Sequence, residues 1–332
     1  MSLAINHPEF SVTMEAIFPQ TQTACVFLVG AVVARFVLGC IAAVYAFTLR
    51  GGKNLKKYGE WAVVTGATDG IGQAEAFELA KKGLSVLIIS RTESKLLATK
   101  EAILAKYPKV SVEHLAVDFG NFDRAAQAKV SASLRGKAVA VLVNNVGMSY
   151  SFCKYFHELT QDEADGMVDL NVNSTSKMTW LVLPGMLERK KGCVVNMSSA
   201  AAQNPSPLLS QYSGTKGYVE HFTASMAKEY APKGIHFQVQ SPLFVTTKLA
   251  KIKKPSLFVP TPASFAKSSV AHIGYETQVS PFWAHALQLW VMAALPTFVL
   301  DKVVLSMHLG IRKKGMAKAA KEAAGGDNKK AK

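Results

Sequence analysis

Apolar runs alternate with amphipathic segments between residues 60 and 275. Near-continuous apolar runs, typical of strands buried on both faces of a parallel sheet, occupy 61–65, 85–90, 112–117, 139–143, 193–197 and 235–239. Segments with helical periodicity, such as 73–82 and 121–134, separate these runs. This alternation predicts an α/β fold, in which a doubly wound, mainly parallel sheet carries helices on both faces.

The most apolar run of the chain, residues 24–49, precedes this region. As a helix it is long enough to cross a bilayer, and the surrounding apolar residues offset the central Arg35. A transmembrane anchor is the preferred interpretation, with an in-plane or re-entrant helix and a buried core helix as alternatives. A cleaved signal peptide fits less well because the basic residues follow the run. The positive-inside rule then places 1–23 in the lumen and the chain from residue 50 in the cytosol.

A second apolar region, 282–309, is interrupted by His285, Pro296, Asp301 and Lys302. It predicts a kinked, amphipathic pair of helices on the membrane surface, and the alternatives are a second span or a cover over a substrate groove. The lysine-, alanine- and glycine-rich end is predicted to be disordered. The predicted organisation is a lumenal segment 1–23, an anchor 24–49, a basic linker 50–59, a cofactor-binding domain 60–275, membrane-associated helices 276–311 and a basic tail 312–332.

The chain carries a formal net charge of +15 over 332 residues, but this charge is not spread over the folded domain. Residues 50–57 contribute +4 and residues 312–332 contribute +6. Because the excess is terminal and juxtamembrane, the sequence argues against a nucleic-acid partner. Four scattered cysteines indicate neither a disulfide framework nor a metal site.

A glycine-rich turn joins the first predicted strand to the first helix, in the sequence TGATDGIG from Thr65 to Gly72. Strand, glycine turn and helix are the context that a dinucleotide site requires, and the alternative is a turn with no ligand. Gly66 permits the tight turn, Gly70 lets the backbone approach a pyrophosphate, and Gly72 allows close helix packing. The predicted cofactor contacts in this turn are Gly66, Thr68, Asp69, Gly70, Ile71 and Gly72.

The second predicted strand ends in Ser90-Arg91, without the carboxylate that commonly binds the ribose of NAD. Arg91, helped by Lys95, can instead pair with the 2′-phosphate of NADP(H). NADPH/NADP is therefore the predicted cofactor. The alternative is that Arg91 is a solvated charge at a strand end.

Further motifs follow the later strands in a fixed order. They are Asp118 after the third strand, Asn144-Asn145-Val146-Gly147 after the fourth, Asn171 in the next helix, Ser199 after the fifth, and Tyr212-Ser213-Gly214-Thr215-Lys216. Tyr212 follows Ser199 by thirteen residues. Over about residues 60–250 the chain resembles the short-chain dehydrogenase/reductase family, whose fold is of the Rossmann type, in both the order and the spacing of these motifs.

The residue chemistry agrees with the catalytic roles that this resemblance implies. Tyr212 and Lys216 lie four residues apart in a helical segment, so they share a face, and an ammonium group can lower the pKa of a tyrosine. The resemblance implies that Tyr212 exchanges the proton, Ser199 polarises the substrate carbonyl, and Asn171 holds a water that links Lys216 to solvent.

The resemblance also implies further cofactor contacts, which join Arg91 and Lys95. Asp118 lies beside the adenine, and Asn145, Tyr212, Lys216, Val245 and Thr247 contribute to the cofactor site. The segment from Pro242 to Thr247 is similar to the family's PGxxxT segment over the nicotinamide, with Leu243 where glycine is usual.

More narrowly, the chain resembles the membrane-bound branch that contains 17β-hydroxysteroid dehydrogenases and very-long-chain 3-oxoacyl-CoA reductases. The stretches GEWAVVTG, NNVGMSY, LPGM and VTTKLAKIKK carry this similarity. It implies NADPH-dependent reduction of a 3-oxoacyl-CoA in very-long-chain fatty-acid elongation, with a long-chain acyl-CoA, the lipid bilayer and other elongation enzymes as partners. The alternatives are a ketosteroid or other lipid carbonyl reductase, and a non-catalytic nucleotide-binding membrane scaffold.

Two groups of lysines predict location and binding, one near the C-terminal end and one after residue 247. Lys329 and Lys330 stand four and three residues from the end, resembling the dilysine retrieval signal of endoplasmic reticulum proteins. This predicts residence in the endoplasmic reticulum membrane with the catalytic domain facing the cytosol. Lys248, Lys251, Lys253 and Lys254 follow the nicotinamide segment and could contact coenzyme A phosphates, lipid headgroups or only water.

Overall fold

The computed structural model describes the backbone of residues 14–330 and the side chains of residues 22–321. The strands are β1 (Trp61–Thr65), β2 (Ser85–Ser90), β3 (Val112–Ala116), β4 (Val139–Asn144), β5 (Gly192–Met197), β6 (Ile235–Gln240) and β7 (Gln278–Val279). The α-helices are α1 (Met14–Val44), α2 (Gly70–Lys81), α3 (Glu93–Lys106), α4 (Arg124–Leu134), α5 (Gln161–Val168), α6 (Ser174–Arg189), α7 (Ser210–Tyr230), α8 (Pro262–His272), α9 (Trp283–Ala294) and α10 (Thr297–Lys330).

The strands form one parallel sheet in the order β3-β2-β1-β4-β5-β6-β7. The order reverses between β1 and β4, and ligands of open parallel sheets bind at such a switch point, outside the carboxyl ends of the strands. The predicted doubly wound, mainly parallel α/β fold is thereby confirmed. The six predicted strands agree with the observed ones to within one residue at each end. β7 was not predicted, because two residues are too short to produce an apolar pattern.

Two apolar clusters cover the two faces of the sheet. Val64, Ile88 and Val143 point toward α2, α3 and α8, whereas their neighbours Val63, Leu87 and Leu142 point toward α4, α6 and α7. Since successive strand residues face opposite sides, a strand buried on both faces must be apolar at nearly every position. This is the physical reason that the strands are continuous apolar runs.

The chain up to Gly51 forms a compact unit separate from the one that begins at Gly52. In the first unit, Gln22–Leu49 is helical, with a mean hydropathy of 2.4 in its most apolar window, and its side chains are not buried. Among the described residues, this is the one helix long and apolar enough to cross a membrane. Residues 1–13 of the predicted lumenal segment lie outside the described residues.

The C-terminal region forms the predicted pair of helices, α9 and α10, with the break at Leu295-Pro296. α10 then continues to Lys330, which differs from the disorder predicted for the tail 312–332. Alanine and lysine are strong helix formers, and Arg312 forms a bidentate ion pair with Glu158 that holds the helix against the segment before α5. This ion pair lowers the pKa of Glu158.

Candidate active site

The predicted site residues lie at the carboxyl edge of the sheet, as the strand order requires. Six of them follow the ends of β1 to β6 in turn: Gly66, Arg91, Asp118, Asn145, Ser199 and Val245. Three more lie further along the chain, Asn171 after β4 and both Tyr212 and Lys216 after β5. Parallel strands place all these ends on one side. Gly66 and Val245, 179 positions apart in the chain, are therefore brought to one edge.

The glycine-rich turn has the backbone that the sequence predicts. Gly66 and Gly70 adopt φ of +64° and +56°, a left-handed conformation that favours glycine. A side chain on Gly72 would collide with Asn145 and with the carbonyl of Gly66. Ile71 packs against the core cluster below the turn. The helix N-terminus is therefore held against the turn with its backbone N–H groups near the strand edge, where it can accept an anionic group.

Asn145 joins β4 to this turn. Its side-chain amide donates to the carbonyls of Thr65 and Gly66 at 3.2 and 3.4 Å, and its backbone N–H donates to Thr65 Oγ1 at 3.0 Å. Thr65 Oγ1 also accepts from the backbone N–H of Val146 at 3.2 Å. Thr65 was not predicted as a site residue, although it stands in the quoted motif. Its hydroxyl ties the two strands at the switch point together.

Three other predicted cofactor residues support turns at the same edge. Thr68 and Ser90 share a hydrogen bond between hydroxyls at 2.9 Å, which links the glycine turn to the end of β2. Asp69 accepts from the N–H of Gly70 at 2.8 Å and caps α2, while Asp118 accepts from the N–H of Gly120 at 2.9 Å. Both aspartates are exposed.

Arg91 and Lys95 form the exposed basic end of the β2–α3 connection. Arg91 forms no ion pair with any described residue, so its guanidinium is available to an incoming anion. Lys95 lies in the first turn of α3 and uses its backbone carbonyl to accept from Thr99. An exposed arginine with no acidic neighbour bound to it fits a phosphate group.

Tyr212 and Ser199 form the hydroxyl pair of the site. Ser199 caps the short helical turn after β5, where its Oγ accepts from the N–H of Ala201 at 3.2 Å. Burial raises the pKa of Tyr212, and a hydrogen bond with Ser199 opposes this effect. The phenol is therefore protonated at neutral pH and can act as an acid.

Lys216 lies one turn after Tyr212 on α7, with 5% of its surface exposed. Its Nζ donates to the carbonyl of Met197 at 2.8 Å and lies 6.0 Å from the centre of the Tyr212 ring. Burial lowers the pKa of Lys216 to about 8. An ammonium so close to the phenol stabilises a phenolate once the proton has left.

Asn171 is completely buried in a five-residue π-helical turn, Asp169–Asn173, between α5 and α6. Its Oδ1 accepts from the N–H of Met148 at 2.8 Å, and its Nδ2 donates to the Met148 carbonyl at 3.0 Å and to Thr215 Oγ1 at 2.8 Å. Asn171 therefore joins the segment after β4 to the residue before Lys216. Such π-turns are frequent at functional sites because the extra residue redirects a side chain.

The segment after β6 lies opposite the glycine-rich turn. A methyl group on Gly70 would lie 3.3 Å from the Thr247 side chain, and Val245 is buried below it. Leu243 replaces the usual glycine without strain, since the only described non-glycine residues with positive φ are Lys190, Leu208 and Lys251. A leucine therefore fits the backbone at this position.

His285 of α9 holds this segment in place, a role that its sequence context did not predict. It is completely buried, its Nδ1 accepts from the N–H of Leu243 at 3.3 Å, and its Nε2–H donates to the carbonyl of Phe244 at 3.1 Å. Burial lowers the pKa of His285 to about 4, so the ring is neutral, as this arrangement requires. Its one sequence signal was a polar residue within an apolar helix.

The residues at this edge of the sheet fit a dinucleotide. A cradle with left-handed glycines, a helix N-terminus and an unpaired basic side chain suits a phosphorylated nucleotide. A protonated phenol beside a serine hydroxyl and a lysine suits proton transfer to a carbonyl oxygen. Within the described residues, no group of histidine, cysteine or carboxylate side chains could hold a metal ion.

Comparison with known proteins agrees with this geometry. A short chain dehydrogenase family profile matches residues 60–256. Very-long-chain 3-oxoacyl-CoA reductase-B of Danio rerio is 43% identical over 78% of this chain and 84% of its own length. Very-long-chain 3-oxoacyl-CoA reductase of Homo sapiens is 42% identical over 79% and 84%.

A solved structure supports the fold. The short-chain dehydrogenase from Sphingobium yanoikuyae in complex with NADPH superposes with a TM-score of 0.60 at 23% identity, over 71% of this chain and 96% of that protein. The family resemblance inferred from the motifs is confirmed by the profile and the curated relatives. The chain belongs to the short-chain dehydrogenase family.

Proposed function

We propose that the protein is an oxidoreductase that reduces a very-long-chain 3-oxoacyl-CoA to the 3-hydroxyacyl-CoA with NADPH. The arrangement of Ser199, Tyr212 and Lys216 at the switch point of the sheet carries this proposal. Two relatives named very-long-chain 3-oxoacyl-CoA reductase are 42 and 43% identical to this chain over most of its length. The substrate class follows from these relatives, and the reaction type follows from the site.

The chain supplies the proton and the polarising groups. Ser199 Oγ–H donates to the carbonyl oxygen of the substrate, and the phenol of Tyr212 gives its proton to that oxygen as negative charge develops there. The buried ammonium of Lys216 stabilises the phenolate that remains. Asn171 positions the segment of Met148 and the helical residue before Lys216. The proposal also assigns it the orientation of a water toward Lys216.

The cofactor site follows the same edge. The glycine turn from Gly66 to Gly72 holds the pyrophosphate, with Asp118 beside the adenine and Arg91 and Lys95 at the 2′-phosphate. Thr68, Asp69, Ile71, Asn145, Val245 and Thr247 shape the rest of the site, together with Tyr212 and Lys216. When bound, NADPH supplies the hydride.

Replacing Arg91 by alanine tests the cofactor assignment. Only NADPH carries the 2′-phosphate, so Arg91→Ala is expected to raise KM for NADPH about tenfold and to leave KM for NADH nearly unchanged. Initial rates with each cofactor measure this. Arg135→Ala, which removes an exposed arginine elsewhere, is the matched control. Equal effects on both cofactors would mean that Arg91 is only a surface charge.

The substrate assignment is tested with purified membranes that contain the full chain. We expect NADPH to be oxidised with a long-chain 3-oxoacyl-CoA as substrate. With an oxo-steroid of similar solubility, we expect NADPH oxidation to be much slower. Turnover of the steroid alone would favour the lipid carbonyl reductase alternative. Absence of turnover with both, despite NADPH binding, would favour the non-catalytic scaffold.

Membrane attachment belongs to the same proposal, because long acyl chains are poorly soluble and partition into bilayers. The helix Gln22–Leu49 is the proposed anchor. α9 and α10 expose large apolar side chains suited to the membrane surface, among them Trp283, Leu287, Trp290 and Phe298. Other fatty-acid elongation enzymes in the same membrane are the proposed partners.

The proposed location is the endoplasmic reticulum membrane with the catalytic domain in the cytosol. Protease added to sealed microsomes is therefore expected to digest the catalytic domain without detergent, since basic residues after the anchor keep it cytosolic. Changing Lys329 and Lys330 to serine is expected to release part of the protein to later compartments. A catalytic domain that survives until detergent is added would contradict this topology.

A further inference from the structure

A groove of about 810 Å³ runs along the outer side of α2, beside the candidate active site. One wall is α2 from Gly70 to Glu78, and the opposite wall is the segment Thr246–Lys253 with the first residues of α8. Its volume is that of a site for a nucleotide-sized ligand.

Five lysines line the groove, against two carboxylates, Asp69 and Glu78. The lysines are Lys106, Lys248, Lys251, Lys253 and Lys318. They come from three parts of the chain: the end of α3, the segment after β6, and α10. Lys248 pairs with Asp69 at 2.6 Å, and the lining as a whole carries five positive charges against two negative ones. A concave surface with this excess attracts phosphate groups.

The groove also contains apolar and aromatic surface. Phe77, Tyr107 and Ile252 are partly buried in its lining. Lys106 Nζ lies 5.8 Å from the centre of the Tyr107 ring, so charge and ring are adjacent. Bases stack on aromatic side chains beside phosphate-binding lysines in many nucleotide sites. The lining therefore suits a phosphorylated adenine nucleotide better than an inorganic anion.

The groove adjoins the segment after β4 through two contacts. Lys251, whose φ is +55°, donates through Nζ to the carbonyl of Ser151, three residues after Met148. Gly315 of α10 packs directly against Phe152, and Lys318 lines the groove one turn further along. These two contacts place the segment Ser151–Phe152 directly beside the lining residues of the groove.

The predicted contacts of the cofactor's adenosine lie elsewhere. Neither Arg91 nor Asp118 lines the groove, whereas Asp69, Gly70 and Thr247 of the proposed cofactor site do. The proposed adenosine contacts thus lie outside the groove, which meets the proposed cofactor site at the glycine turn and at Thr247. Apart from the cofactor, the only nucleotide in the proposed reaction is that of coenzyme A, which carries the acyl group of the substrate.

We infer that this groove binds the 3′-phosphoadenosine diphosphate end of the coenzyme A in the substrate, an inference that rests on the proposed function. The lysines contact the diphosphate and the 3′-phosphate, and Tyr107 and Phe77 pack against the adenine. The thioester arm runs past Ser151 toward Tyr212. The nucleotide thus contributes affinity for acyl-CoA without taking part in the proton transfer.

The test uses the full-length protein and a double variant, Lys106→Ala with Lys253→Ala. Neither lysine forms an ion pair with a described residue, so the fold keeps its ion pairs. KM for 3-oxoacyl-CoA is expected to rise about fivefold to tenfold, with kcat and KM for NADPH unchanged. KM for the corresponding 3-oxoacyl pantetheine thioester, which lacks the nucleotide, is expected to stay as in the wild type.

The matched control is Lys129→Ala with Lys228→Ala, which removes the same charge from exposed positions on α4 and α7. An unchanged KM for acyl-CoA in the groove variant would overturn the inference, as would an equal rise for both thioesters. An unchanged KM with weaker binding to phosphatidylserine vesicles would assign the groove to lipid headgroups instead.

The same measurements separate this inference from the proposed function. If the wild type fails to reduce 3-oxoacyl-CoA, the proposed function is wrong, whatever the groove binds. Calorimetric titration with free coenzyme A then tests the groove directly. A Kd for coenzyme A that rises at least fivefold in the groove variant, but not in the control variant, supports the site. The same Kd for all three proteins refutes it.

Discussion

Replacing Tyr212 by phenylalanine is expected to lower kcat at least about a hundredfold while NADPH still binds. The substitution removes the hydroxyl that bonds to Ser199 and keeps the ring that packs beside Lys216. Loss of a positioned general acid typically costs a factor of this size. Initial rates with a 3-oxoacyl-CoA measure the first effect, and quenching of tryptophan fluorescence by NADPH measures the second.

Tyr218 on the same helix provides the control for this substitution. Its side chain is 41% exposed, and its hydroxyl shares a hydrogen bond with Ser176 at 2.9 Å. Tyr218→Phe therefore removes one hydroxyl from α7 outside the active site and is expected to leave kcat within about twofold of the wild type. Near-normal turnover by Tyr212→Phe would mean that another group donates the proton.

Replacing Asn171 by alanine is expected to reduce both stability and turnover. Asn171 is completely buried, and its amide satisfies the N–H and the carbonyl of Met148 and the hydroxyl of Thr215. Without it, these groups lose buried partners, so the free energy of unfolding is expected to fall by about 2–4 kcal/mol. Urea denaturation of the full-length protein, followed by tryptophan fluorescence, measures this change.

Asn173, two residues later in the same π-turn, is the matched control. Its amide is partly buried and donates to the side chain of Asp169 at 2.7 Å. Asn173→Ala is expected to lower the free energy of unfolding by less than about 1 kcal/mol. If Asn171→Ala unfolds at the same urea concentration as the wild type and keeps full turnover, Asn171 does not support the site.

The strands and the glycine turn could be predicted because their causes are local. A parallel strand covered on both faces must be apolar at almost every position, so its sequence marks it with no knowledge of its neighbours. The conformation of the turn requires glycine at Gly66 and Gly70, where φ is positive. Tyr212 and Lys216 share a face of α7 because residues four apart always do in a helix.

The site beyond these motifs depended on contacts between distant residues. His285 holds the segment after β6 from more than 40 residues away. The π-turn that aims Asn171 has no distinctive composition, and β7 is too short to leave a pattern. Each of these features is stabilised by a partner from another part of the chain.

The C-terminal helix has a basic sequence, but its contacts come from distant parts of the chain. The sequence by itself determined the apolar N-terminal helix, the parallel sheet, the order of the motifs and the basic character of the tail, because propensity and periodicity act over a few residues. Only the tertiary structure decided that Arg312 pairs with Glu158 and that Lys318 joins Lys106 and Lys253 around one groove. Side chains this far apart in the chain converge through packing of whole elements, and no local pattern encodes that packing.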